Sequence, residues 1–161
     1  MQMKLETIEA RRSPIHGMGV FALKKIPRGT QVIEYKGKRV KWDPNKEKKN
    51  GHTELFHVTH THVLNPRWQG NIARYINHSC APNCEAVQEG EQIFIYAIRD
   101  IQPGEELFYS YGLVLGRRFT RDDVHRYLCR CGSAKCRGAM LSIPPSRRAQ
   151  VKRWARQFAQ S

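Results

Sequence analysis

Short apolar alternations, each four to seven residues long, dominate the first two thirds of the chain. Residues 4–10 (KLETIEA) alternate and read as a strand. Gly17 and Gly19 bracket a sharp turn, Val20–Leu23 reads as a strand, and Ile26–Thr30 as a turn. Gln31–Tyr35 is rich in β formers and reads as the next strand. Lys41–Gly51 is a polar excursion, a long loop or a short helix. Two short β-like pieces follow in Glu54–Leu64, where alternation in "HVTHTH" puts His60 and His62 on one face; His57 opens the same stretch. Gly70–Asn77 suits one helical turn, and Glu85–Gln88 with Gln92–Ile98 suits a hairpin around Glu89–Gly90. "DIQPGEELFYSYG" reads as a turn and then a strand. The expected class is mainly β with short helices. Only the end differs. After Pro144–Pro145, Ser146 is placed to cap a helix, and Val151, Trp154, Ala155 and Phe158 fall on one face of it. That stripe is expected to pack, leaving an arginine- and lysine-rich face for a partner.

Size and charge narrow this further. The chain has 161 residues, 40% of them apolar, which suits a folded domain with a core and a tail. No apolar run reaches transmembrane length and no apolar leader follows Met1, so the expectation is a soluble intracellular protein unless a non-classical route exports it. The net charge is +14 and is gathered in three blocks. Residues 36–49 and 117–137 each hold seven basic residues against two acidic ones; residues 144–161 hold five basic residues and no acid. Residues 50–116 are acidic, with three arginines and seven carboxylates. Basic blocks fit contact with nucleic acid or another polyanion, or a solvated surface.

Five cysteines are present: Cys80, Cys84, Cys129, Cys131 and Cys136. An odd count argues against a disulfide framework. "CRCGSAKC" places three thiols within eight residues, and a structural zinc site takes four ligands. From the spacing alone the fourth ligand is open among Cys80, Cys84 and His125.

Five segments stand in order: "HGMGV", "EYKGK", "RYINHSCAPNC", "GEELFYSYG" and "CRCGSAKC". Together they resemble the SET-domain lysine methyltransferases with a cysteine-rich post-SET extension, over about residues 5–141. The chain looks like a compact stand-alone member without a pre-SET cluster. The resemblance implies a fold of several small sheets with a pseudoknot. The implied divisions are a SET domain at 5–112, a zinc-binding post-SET extension at 113–141 and a basic amphipathic C-terminal helix at 142–161. It implies methyl transfer from S-adenosylmethionine to a lysine ε-amine, with a histone or basic histone-like protein as the expected substrate. Such a protein would associate with chromatin or a nucleoid, with its basic blocks touching DNA or nucleosomes.

The resemblance also implies residue roles. Gly17, Met18 and Gly19 would hold the cofactor by backbone contact, with Asn77 and His78 binding it and Arg74 orienting their segment. Tyr111 would be the active-site tyrosine, Tyr35 would line the lysine channel, and Tyr109 would occupy the position that limits methylation to one or two methyls. Cys80, Cys129, Cys131 and Cys136 would form one zinc site with Cys84 spare, and Met140 and Leu141 would cover the adenine. Lys38, Asn65 and Ser110 depart from residues frequent in the family and bear on substrate preference. Two alternatives remain: a methyltransferase for a non-histone protein such as a ribosomal one, and a catalytically silent SET module that binds nucleic acid.

Overall fold

The structure is a computed structural model that describes residues 6–43 and 54–161. The polar stretch at 41–51 and the start of the first strand therefore lie largely outside the described residues. The chain divides into two compact units. The first holds its residues up to Asn77 together with Asn83–Tyr109; the second holds His78–Pro82 and Ser110–Ser161. The chain thus leaves the first unit at residue 78, returns at 83 and leaves again at 110.

The first unit is built from small antiparallel sheets, as the short alternations predict. Strand β1 (Ile8–Arg12) pairs with β2 (Met18–Ala22), from Ile8 opposite Ala22 to Arg12 opposite Met18. β1 lies later than the alternation at 4–10 suggests, with Glu6–Thr7 in a turn. Pairing with β2 carries the strand out to Arg12, and local alternation does not record that partner. Strands β3 (Gln31–Tyr35), β4 (Lys38–Lys41), β5 (Phe56–His57) and β6 (His62–Asn65) follow, and β4, β6 and β5 form one sheet in that order. His60 lies in the bend before β6 and does not share a strand face with His62. Thr59 makes that bend, its Oγ1 accepting the backbone N–H groups of Thr61 and His62.

The helical turn expected at 70–77 is a 3-10 turn, Ile72–Tyr75. Asn71 caps it by accepting from Ala73 N and ties it to β3 by donating to Glu34 O at 2.8 Å. β7 (Asn77–His78) carries the chain out of this unit. β8 (Cys84–Glu89) and β9 (Gln92–Ala97) form the expected hairpin, and β9 lies between β3 and β8. Ile93, Ile95 and Ala97 on one face of β9 are buried with Ile33 and Tyr35 of β3, the period of two that a half-buried strand requires. β10 (Phe108–Tyr109) ends the unit.

The second unit has its own apolar core of Val124, Tyr127, Ala139, Leu141, Ile143 and Val151. Helix α1 (Arg121–Arg126) is too short to show a periodicity, but its start is written in "TRDD". Thr120 and Asp123 form a reciprocal capping box, a signal that sequence reading passed over. Helix α2 (Arg148–Ala159) turns Val151, Trp154 and Phe158 onto the core, so the apolar stripe packs. Ser146 does not cap it: Ser146 sits inside a 3-10 turn, Pro145–Arg147, and Arg147 precedes α2 without a side-chain cap. The reason is Pro145, whose fixed φ and missing N–H suit the first residue of a helical turn and start that turn one residue before Ser146.

Candidate functional site

The expected site residues fall into both units, and each unit assembles its own group. In the first, the β1–β2 turn is fastened by an acid that sequence reading did not single out. Glu106 accepts from Ser13 Oγ at 2.9 Å through Oε2 and from Asn77 Nδ2 at 2.9 Å through Oε1. Asn77 Nδ2 also donates to Met18 O at 2.9 Å and reaches His16 O at 3.3 Å. Gly17 sits at φ +50°, where a side chain would be strained. Gly19 is needed for a different reason: a Cβ there would collide with Glu106 Oε1. The pair of glycines thus serves one turn conformation and one close approach. The result is a rigid backbone turn with Met18 facing solvent, 38% exposed. A polar backbone edge beside an apolar side chain fits the amino-acid and adenosyl parts of S-adenosylmethionine.

Asn83, the last-but-one residue of "RYINHSCAPNC", is 2% exposed and acts as a strand partner. Its Nδ2 donates to Glu106 O and its Oδ1 accepts from Phe108 N, both at 2.8 Å. Arg74 does not touch this turn. Its Nε and Nη2 donate to Glu54 Oε2 at 3.2 and 2.9 Å, while Tyr35 Oη donates to the backbone oxygen of the same Glu54 at 2.6 Å. Glu54 therefore anchors both. Tyr35 meets Phe56 edge to face with ring centroids 4.6 Å apart, and Phe56 meets Tyr109 at 5.7 Å. Tyr35 and Tyr109, 74 residues apart in sequence, thus join through Phe56 into one aromatic run.

In the second unit, the Sγ atoms of Cys80, Cys129, Cys131 and Cys136 all lie within 4.8 Å of one another. Zn–S bonds of about 2.3 Å in a tetrahedron require sulfurs about 3.8 Å apart, and Cys80 and Cys129 are at 3.8 Å. Backbone N–H groups of Arg137 and Gly138 donate to Cys80 and Cys136 at 3.3 and 3.4 Å, as they do to thiolates. The Cys80 thiol is held far below its usual range by the Cys129 contact and by hydrogen bonds from His78 and Arg137. Cys129 is pushed far up by sharing with Cys80 and by burial, and Cys136 is raised by burial. Four close thiols cannot all ionise without a cation among them, and a dication removes that conflict. The donor set therefore fits zinc. His125 is not among these ligands; its ring packs on Phe158 at 4.4 Å. Cys84 is buried in the first unit, its thiol pushed up to about 12 by desolvation, as befits an inert packing residue.

His78 links the cysteine cluster to Tyr111. Its Nδ1 accepts the Tyr111 backbone N–H at 3.0 Å, so the ring proton sits on Nε2, which reaches Cys80 Sγ at 3.4 Å. The two rings meet edge to face at 5.3 Å. With both nitrogens engaged and the residue 5% exposed, the His78 ring is a scaffold, and contact with a cofactor would fall to its backbone. Leu141, at 1% exposure, belongs to the unit's core and bridges to Leu113, so its side chain cannot cover an adenine. Met140 is half-buried and stays available for that role.

The SET domain family model matches residues 17–112, more than half of the chain, and the chain belongs to that family. Three relatives share one description, "Histone-lysine N-methyltransferase, H3 lysine-4 specific". The chain is 35% identical over 151 residues to that of Chaetomium globosum, covering 86% of this chain and 14% of the relative. It is 40% identical over 137 residues to that of Schizosaccharomyces pombe, covering 78% and 14%. It is 39% identical over 141 residues to that of Saccharomyces cerevisiae, covering 79% and 12%. The chain thus spans about one-seventh of the length of the curated relatives it matches. No helix among the described residues is long and apolar enough to cross a membrane.

Proposed function

We propose that this chain is a protein-lysine N-methyltransferase whose substrate is a histone, with lysine 4 of histone H3, the site named for its relatives, as the first candidate. Bound S-adenosylmethionine supplies an electrophilic methyl for in-line attack by a neutral lysine amine. The Gly17–Gly19 turn and Asn77 hold the amino-acid end, and Met18 offers apolar cover. The aromatic run of Tyr35, Phe56 and Tyr109 is the single observation that carries this reading, because the amine must shed its proton and its water. Lowering a lysine from its usual pKa of about 10.4 to about 7.4 costs roughly 4 kcal/mol, and apolar surroundings disfavour the charged form. Tyr111 is the active-site tyrosine in this reading. The four cysteines hold zinc and brace the loop from Leu128 to Gly138. A histone substrate would place the protein at chromatin.

Labelled methyl transfer to recombinant histone H3 tests this reading. Wild type is expected to label H3, and Tyr111→Phe to lose about a hundredfold in rate, the scale of a misplaced reactant. Full activity in Tyr111→Phe would remove the assigned role. Labelling of another protein in extract, with none of H3, would move the substrate. Tyr109 is proposed to limit the product to mono- and dimethyl-lysine by filling space beside the amine. Tyr109→Phe is then expected to shift the product toward trimethyl-lysine in mass spectra, and efficient trimethylation by wild type would exclude the idea.

A further inference from the structure

The chain's positive charge is not evenly shared. The second unit carries twelve lysines and arginines against two aspartates, +10 of the total +14. One of those aspartates, Asp123, is already held by Arg117 at 2.7 Å, so the remaining cations outnumber their possible partners within the unit. Between α2 and the cysteine loop lies an open groove of about 620 Å³, lined by Leu128, Arg130, Lys152, Ala155, Arg156 and Phe158 among others, with no carboxylate side chain in its wall. Arg148, Lys152 and Arg156 are all exposed and stand at i, i+4 and i+8 of α2. At 1.5 Å rise per residue they form a row with steps of about 6 Å along the axis. Arg130 is exposed on the facing loop.

We propose that this groove and the α2 row bind the phosphate backbone of a double-stranded nucleic acid. A row of long cations opposite another cation suits successive phosphates, which guanidinium groups grip in pairs of hydrogen bonds. Single strands are usually held by open aromatic platforms. The groove's aromatic, Phe158, already stacks with His125 at 4.4 Å and carries the Arg121 guanidinium at 5.0 Å, which favours backbone contact over base stacking. Recognition of this kind tracks the duplex without reading its sequence. Such binding is independent of methyl transfer and would deliver the chain to nucleic acid whatever the substrate.

Fluorescence anisotropy with a labelled DNA duplex, an RNA duplex of the same sequence and a polyglutamate peptide tests it on the whole chain. Wild type is expected to bind a duplex, with affinity falling steeply as salt rises. The variant R148Q/K152Q/R156Q is expected to bind at least about tenfold more weakly, with the log–log salt slope smaller by about 2.7, three lost phosphate contacts at about 0.9 each. The control K36Q/K38Q/K41Q, in the first unit, is expected to change that slope by less than about one. The α2 variant should keep its zinc content and its methyl transfer to a short peptide, which separates failure of the groove from failure of the enzyme reading. Hydrogen exchange on wild type gives a readout free of variants: a bound duplex should protect amides in 128–138 and 148–159. Three results would each overturn the proposal: no duplex binding at about 50 mM salt, an equal loss in the control, or polyglutamate bound more tightly than either duplex. The relative affinities of DNA and RNA then decide which duplex is the ligand.

Discussion

Asp123 shows how much one side chain can hold. It is 4% exposed, accepts from Thr120 N, Thr120 Oγ1 and both terminal nitrogens of Arg117, and closes the capping box of α1. The Arg117 guanidinium and the Thr120 donors keep its carboxyl below the usual carboxylate range, against the opposing effect of burial. A folded-state pKa below the unfolded one makes its contribution fully present above the unfolded value of about 3.9, and lost as pH falls through the folded value. Asp123→Ala is expected to destabilise the second unit by about 2 kcal/mol near neutral pH, the scale of a lost cap with charged hydrogen bonds. The gap between wild type and variant in urea melts should shrink as pH drops below about 4. A gap that widens with acid would contradict the assignment. The box was readable as "TRDD"; the Arg117 grip was not, because an arginine three residues before a cap has no fixed direction until the chain around it is folded.

At the scale of elements, the cysteine loop and α2 depend on each other. Gly138 sits at φ +90°, and a Cβ there would lie 2.9 Å from the Ala155 Cβ, so only glycine lets the loop approach the helix this closely. Cys129 N donates to Gly138 O and Met140 N to Tyr127 O, the backbone bonds that close the loop on itself. Besides its cysteines, the stretch 129–137 has one apolar side chain, Ala134, so the cysteine cluster must brace it. Zinc in small sites contributes on the order of 10 kcal/mol to folding. A strong chelator is therefore expected to strip exchange protection from the amides of Cys129, Arg137 and Met140 while leaving the β8–β9 hairpin protected. Cys80→Ser should lower bound zinc in elemental analysis, and undiminished zinc in that variant would take Cys80 out of the ligand set. The elements themselves were unequally legible. The β8–β9 hairpin followed from alternation around a Glu-Gly turn, whereas the start of α2 was misplaced because a proline pair can begin a 3-10 turn ahead of the helix it precedes.

For the whole molecule, the sequence alone determined the class: short alternations dictate small sheets, five ordered segments mark the family, and the cysteine spacing points to a metal site. Those are local or near-local properties, set by side-chain period, turn chemistry and ligand spacing. It also determined that three basic blocks exist. Tertiary structure decided which partners several motif residues touch. Glu106 fastens the turn that Gly19 admits, Glu54 anchors Arg74 and Tyr35, and Asn83 takes the place of a strand beside Phe108. It brings Cys80 within 4.8 Å of three thiols some fifty residues away, a grouping that spacing alone left open and the family resemblance implied, while Cys84 is buried elsewhere. It also gathered two of the three basic blocks into one unit around one groove. The physical reason is the same in each case. Hydrogen-bond partners, close approaches and charge clusters are set by distances in space, and a chain that leaves a unit and returns to it makes those distances independent of sequence separation.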